Sequence, residues 1–217
     1  MVLRLNGAES VLPGAKRCKE HIIWQAASVQ GIAPPLLYVD EGIQFLISTF
    51  IPSDLPSKRG LNRVCIKHAY DLLERCHQIN LDVPSIDYFE HIEKYWQMID
   101  SKANSPCPGL VAQRDQMQSL LKELGQGGGE TGLCHHDPVV ENFVGDCERL
   151  YLIDWEYAAN GLLVMDYAAL AVEWDLDERE IVKRTGMNPE LTTMAISLYR
   201  YMCKLWEAAT KDSNEAI

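Results

Sequence analysis

The sequence has no uninterrupted apolar run of about 18 residues, the length that would cross a bilayer as a helix. Its first residues lack a basic stretch leading into an apolar one, so neither a membrane span nor a cleavable secretion signal is expected. It also lacks any CxxC pair. Seven cysteines (Cys18, Cys65, Cys76, Cys107, Cys134, Cys147, Cys203) stand singly, a pattern that excludes zinc-ribbon spacing and a disulfide framework and predicts reduced thiols in a cytoplasmic protein. Positive charge is scarce: 20 Lys and Arg face 31 Asp and Glu, a net of −11. A chain that neutralises phosphates along a nucleic acid needs a basic face, so nucleic acid is not an expected partner. Apolar side chains, by contrast, are plentiful. At 217 residues and 47% hydrophobic, with 5 Trp, 9 Tyr and 4 Phe, the chain can bury a sizeable core as one unit or two small lobes.

The charge is uneven along the chain. Residues 1–129 carry 14 acids and 13 bases, whereas residues 130–217 carry 17 and 7. The second part therefore suits a cationic ligand, or one that arrives with cations; acidic helix surfaces facing water are the alternative. The opening Val2 to Leu5 alternates as a strand does, and Asn6-Gly7 breaks it. A helix is expected from about Lys16 to Val29, closed by Gly31, and two short strands at Leu36 to Val39 and Phe45 to Phe50. After Pro52 and Pro56 the pattern turns helical. Cys65, Ala69, Leu72 and Cys76 share one helix face ending near His77, and further helices are expected over 88–101, 111–124, 165–173 and 178–185, with a last one around Met194 to Leu205. Gly127-Gly128-Gly129 follows a helix rather than a strand, so it reads as a connection and not as a phosphate cradle. The boundary between a small α/β part, residues 1–51, and a larger helical part, residues 52–217, is expected near residues 51–56.

The chemistry concentrates in Leu133 to Val144 and Leu150 to Ala158. A carboxylate (Asp137), an amide five residues on (Asn142) and a second carboxylate (Asp154) at the end of an apolar strand are linked by a hairpin with a turn at Gly145-Asp146. Oxygen donors of this kind suit Mg²⁺, which takes one or two carboxylates and leaves room for phosphate oxygens. A nearby free carboxylate can then accept a proton from an attacking hydroxyl. The same order, Asp then Asn five residues later and Asp after the next strand, serves phosphoryl transfer in protein kinases.

On His135-x-Asp137-x-x-x-x-Asn142 and Ile153 to Ala158, with Asp166-Tyr-Ala-Ala169 behind them, the chain resembles the aminoglycoside phosphotransferase and choline kinase family, most closely its bacterial choline and thiamine kinase branch. The resemblance implies an α+β, protein-kinase-like fold of two lobes: a small, truncated α/β N-lobe and a larger, mainly helical C-lobe. It implies Asp137 as catalytic base or hydroxyl-orienting group, Asn142 and Asp154 as Mg²⁺ ligands, and Arg4, steadied by Glu20, as a contact to the phosphates of ATP. His135 is expected to brace the loop, His136 to be an exposed loop residue, and Glu156 to join the metal or substrate shell. It also implies a strand, a Gly- or Ser-containing loop and a strand ahead of Arg4, a point that Met1 immediately precedes here.

The expected acceptor is a small cationic alcohol such as choline, ethanolamine or thiamine, held by aromatic faces and acids. Trp174 and Asp175 are the pocket candidates, with Tyr199, Trp206, Glu207 and the Tyr95-Trp96 pair near them in type, and Tyr201 assigned to the core. An aminoglycoside acceptor and a non-catalytic, kinase-like binding protein are the alternatives.

Overall fold

A computed structural model describes residues 1–6, 17–55, 61–101 and 108–211. Gly7, Lys16, Pro56 and Cys107, invoked above, lie outside these, as does the side chain of Cys18. The described residues combine helices with small sheets, an α+β arrangement as expected.

The first three strands form one sheet. β1 (Val2–Leu5) and β2 (Leu36–Val39) flank β3 (Phe45–Ser48), all antiparallel, and Arg4 stands opposite Leu46. Against them lies α1 (Arg17–Val29), whose Ile23, Trp24 and Ala27 are buried. This small part is tied to the rest through backbone: the Leu152 N–H donates to the Ile32 carbonyl at 2.8 Å.

The helices that follow use the local signals in the sequence. α2 (Arg63–His77) is capped by Asn62, whose side chain accepts from the N–H groups of Val64 and Cys65, and it buries the stripe Cys65, Ala69, Leu72 and Cys76. α3 (Tyr88–Asp100) is capped by Asp87 and buries Ile92, Tyr95, Trp96 and Ile99. α4 (Pro108–Gln126) runs longer than its apolar pattern announced, because only Leu110, Met117, Leu121 and Leu124 are buried along it. Past the glycine run come β4 (Thr131–Cys134), then the hairpin β5 (Phe143–Asp146) and β6 (Arg149–Leu152). The hairpin turns where expected, with Asp146 Oδ1 accepting from the N–H groups of Glu148 and Arg149. β4 pairs with β7 (Ala159–Leu162), a strand that two polar or glycine positions hid from the periodicity. α5 (Leu163–Glu173), α6 (Glu178–Thr185) and α7 (Pro189–Thr210) complete the helical part. Among the described residues no helix is long and apolar enough to cross a membrane.

One expectation about the thiols is corrected. Cys65 on α2 and Cys147 in the β5–β6 turn are joined in a disulfide, with Cα atoms 4.3 Å apart. They are separated by 82 residues, so spacing could not pair them; packing of α2 against β6 does.

Candidate active site

The hairpin and β4 bring the motif residues together. Asn142 ends a 3-10 turn (Val140–Asn142) at the start of β5, and its Nδ2 donates to both the Asp137 carbonyl (2.9 Å) and Asp137 Oδ2 (2.8 Å). That fixes the amide flip and leaves Asn142 Oδ1 as the atom available to a cation. Asp154 follows β6 with φ 65° and ψ 65°, a left-handed backbone that non-glycine residues adopt under constraint. The constraint comes from the next residue, since Trp155 is fully buried and donates from its indole to the Leu152 carbonyl.

His135 holds these two stretches together. Its ring donates from Nε2 to the Ile153 carbonyl at 3.0 Å and meets the Trp155 ring edge-on at 4.7 Å, while its N–H donates to Asp166 Oδ2 at 2.8 Å. The expected bracing role is what these bonds describe. His136 is not the exposed loop residue expected: it is half-buried, and its Nε2 lies 3.0 Å from the Tyr88 hydroxyl.

Two cavities meet at this point. One, of about 390 Å³, lies between the small sheet and the hairpin and is lined by Arg4, Trp24, Ser48, Phe50, Asp154 and Glu156. Arg4 is bonded to the buried Glu20 and reaches Asp154 Oδ1 at 3.4 Å and Glu156 Oε2 at 4.0 Å. Burial pushes the Glu20 carboxyl up, and the Arg4 charge opposes that shift. The second cavity, of about 670 Å³, is lined by Asp137, Glu156, Tyr157, Glu173, Tyr199 and Trp206 among others. Glu156 belongs to both. Asp137 sits in the second with a carboxyl held above its ordinary value by burial and by the neighbouring charges of Asp154 and Glu173, against the pull of His135 and the Asn142 hydrogen bond.

Of the residues expected at the site, Arg4, Glu20, Asp137, Asn142, Asp154 and Glu156 are brought together. Trp174 and Asp175 are not. Trp174 is buried, donates from its indole to the Pro138 carbonyl at 3.1 Å and packs edge-on against Phe143, while Asp175 is exposed. Tyr201 is core, its hydroxyl accepting from the Trp96 indole at 3.2 Å. Among the lining residues that escaped notice are Tyr88, His91, Tyr157 and Glu173. Glu173 was within reach of the sequence, because it lies seven residues after Asp166 and hence on the same face of α5. Tyr88 and His91 were within reach too, since they share the buried stripe of α3 with Ile92 and Tyr95, whereas Tyr157 stands in a short turn that no periodicity marks.

A family model described as the phosphotransferase enzyme family matches residues 3–188. Among solved structures, the chain is similar to a choline/ethanolamine kinase family protein from Mesorhizobium loti, at 21% identity and a TM-score of 0.78, over 95% of this chain and 71% of that one. It is similar to choline kinase LicA from Streptococcus pneumoniae, at 23% identity and a TM-score of 0.78, over 99% and 79%. LicA in complex with AMP aligns at 24% identity and a TM-score of 0.74, over 90% and 71%. No curated protein sequence matches the chain.

Proposed function

Because the chain belongs to the phosphotransferase enzyme family, we propose that it transfers the γ-phosphoryl group of ATP to the hydroxyl of a small cationic alcohol such as choline, ethanolamine or thiamine. The observation that carries this reading is the pair of cavities sharing Glu156, one holding Arg4 and Asp154 and the other Asp137. Nucleotide on the first side and alcohol on the second would bring the phosphorus and the attacking oxygen to the shared wall.

The donor set fits Mg²⁺. Asn142 Oδ1, freed by the engagement of its amide nitrogen, and the partly exposed Asp154 carboxylate would hold the ion as hard oxygen ligands. When bound there, it supplies charge neutralisation to the phosphate oxygens. The alcohol's O–H donates to Asp137, whose position is set by the Asn142 amide. As the new P–O bond forms, the bond from the γ-phosphorus to the β–γ bridging oxygen breaks, ADP departs, and the hydroxyl proton passes to Asp137. Arg4, anchored by Glu20, faces the phosphates on the nucleotide side. The cation is met by the faces of Tyr157, Tyr199 and Trp206 and by Glu173, which accepts from the Tyr199 hydroxyl at 3.3 Å.

The test is a panel of choline, ethanolamine, thiamine, an aminoglycoside and a neutral alcohol of matched size with ATP, with and without Mg²⁺. The expected result is an Mg²⁺-dependent phosphomonoester from at least one cationic alcohol and none from the neutral one. Binding of Mg-ATP without turnover on the whole panel overturns this reading in favour of a non-catalytic binding protein.

A further inference from the structure

The loop that carries Asp137 turns at His136, a non-glycine residue with φ of 65°. A side chain with a Cβ adopts that left-handed backbone only where its surroundings hold it. On one side the holder is Asp166 of α5, fully enclosed, whose Oδ1 accepts the His136 N–H at 2.7 Å and whose Oδ2 accepts the His135 N–H at 2.8 Å. His77, at the end of α2, places Nε2 3.0 Å from that same Oδ2. On the other side is Tyr88, the first residue of α3. Its hydroxyl accepts the Leu162 N–H at 3.3 Å and is hydrogen-bonded to His136 Nε2 at 3.0 Å. Burial pushes the His136 pKa down, which favours the neutral ring. Gly161 makes the contact possible, because a Cβ there would lie 2.5 Å from His136 Nε2 and 2.7 Å from the Tyr88 hydroxyl.

We propose that His136 is a positioning residue, its left-handed backbone clamped between Asp166 and Tyr88 so that the Asp137 carboxylate is aimed into the acceptor cavity. A right-handed or extended backbone at this position would swing Asp137 away from Asn142, whose Nδ2 meets its carbonyl and carboxylate together. The proposal rests on Asp137 as the hydroxyl-orienting group, and the experiment separates the two. His136→Gly and His136→Ala both remove the ring, and only the alanine keeps a Cβ that resists φ 65°. The alanine variant is expected to have kcat about fivefold or more below the glycine variant, with KM for ATP and for the alcohol the same in both. Amide exchange over residues 133–138, measured without substrate, is expected to be faster in His136→Ala than in His136→Gly, and faster in Tyr88→Phe than in the wild-type chain. Equal kcat in the two His136 variants, or a difference confined to KM, overturns the clamp. If no alcohol is turned over and the exchange difference is still seen, the phosphotransfer reading fails while the clamp holds; equal exchange in the two variants overturns the clamp whatever the turnover.

Discussion

The two sides of the loop from His135 to Asp137 treat a carboxylate in opposite ways. Behind the loop, Asp166 is enclosed completely, and burial alone would raise its pKa; the hydrogen bond and charge of His77, with His136 and His135 adding to them, hold it instead at about 2. In front, Asp137 has, among the described residues, a side-chain donor only in Asn142; it faces Asp154 and Glu173 and is held above its ordinary value. The difference separates framework from chemistry. A buried carboxylate supplied with three N–H groups fixes the backbone around it, whereas one left short of donors and near other acids is poised to take a proton.

The contrast can be broken from the front first. Asp137→Asn keeps the size and one acceptor but cannot take a proton, so turnover is expected to fall by about 10²–10⁴ with the melting temperature kept or raised; steady-state kinetics and calorimetry read the two halves. Asp166→Ala should do the reverse in stability, costing about 3 kcal/mol because two backbone N–H groups and His77 lose their acceptor inside the protein. Urea unfolding at neutral pH measures that loss.

The pH dependence of stability sharpens the same point with the signs opposed. For Asp166, lowered from 3.8 to about 2, ionisation contributes about 2 kcal/mol of stability that is fully present above 3.8 and is lost as pH falls toward 2. For Asp137, raised above 3.8, ionisation destabilises, and relief comes as pH falls through its folded value. Asp137→Asn should therefore steepen the net loss of stability on acidification, as followed by urea midpoints across that range. The smallest effect belongs to Trp174, whose indole donates to the Pro138 carbonyl. Trp174→Phe is expected to cost about 1 kcal/mol and to leave KM for the alcohol unchanged, since Trp174 packs behind the loop and does not line the acceptor cavity.

Much of the front of the site was legible in the sequence, because its residues fall within one local motif. Asp137, Asn142 and Asp154 are joined by a single hairpin whose turn signal at Gly145-Asp146 is written in the chain, and α2 ends at His77 and α6 spans 178–185 as expected. The back of the site was not legible, since its contacts are long-range. Asp166 meets residues 30 and 31 positions before it and His77, 89 positions away, while Tyr88 meets His136 across 48. The aromatic Trp174 misled for a related reason: large rings next to acids suggest a cation pocket, yet the indole N–H had a nearer use in securing Pro138. β7 was missed because Asn160 and Gly161 break any alternation, although Gly161 is there to let His136 approach Tyr88.

The division between a working carboxylate in front of the loop and a structural one behind it is tested most directly by carboxyl-carbon NMR titration of Asp137 and Asp166, set beside the pH dependence of kcat/KM. Asp137 is expected to titrate above 3.8 at the same midpoint as the acid limb of kcat/KM, with Asp166 still ionised throughout that range. An Asp166 that protonates together with Asp137, or an acid limb that does not follow Asp137, would contradict it.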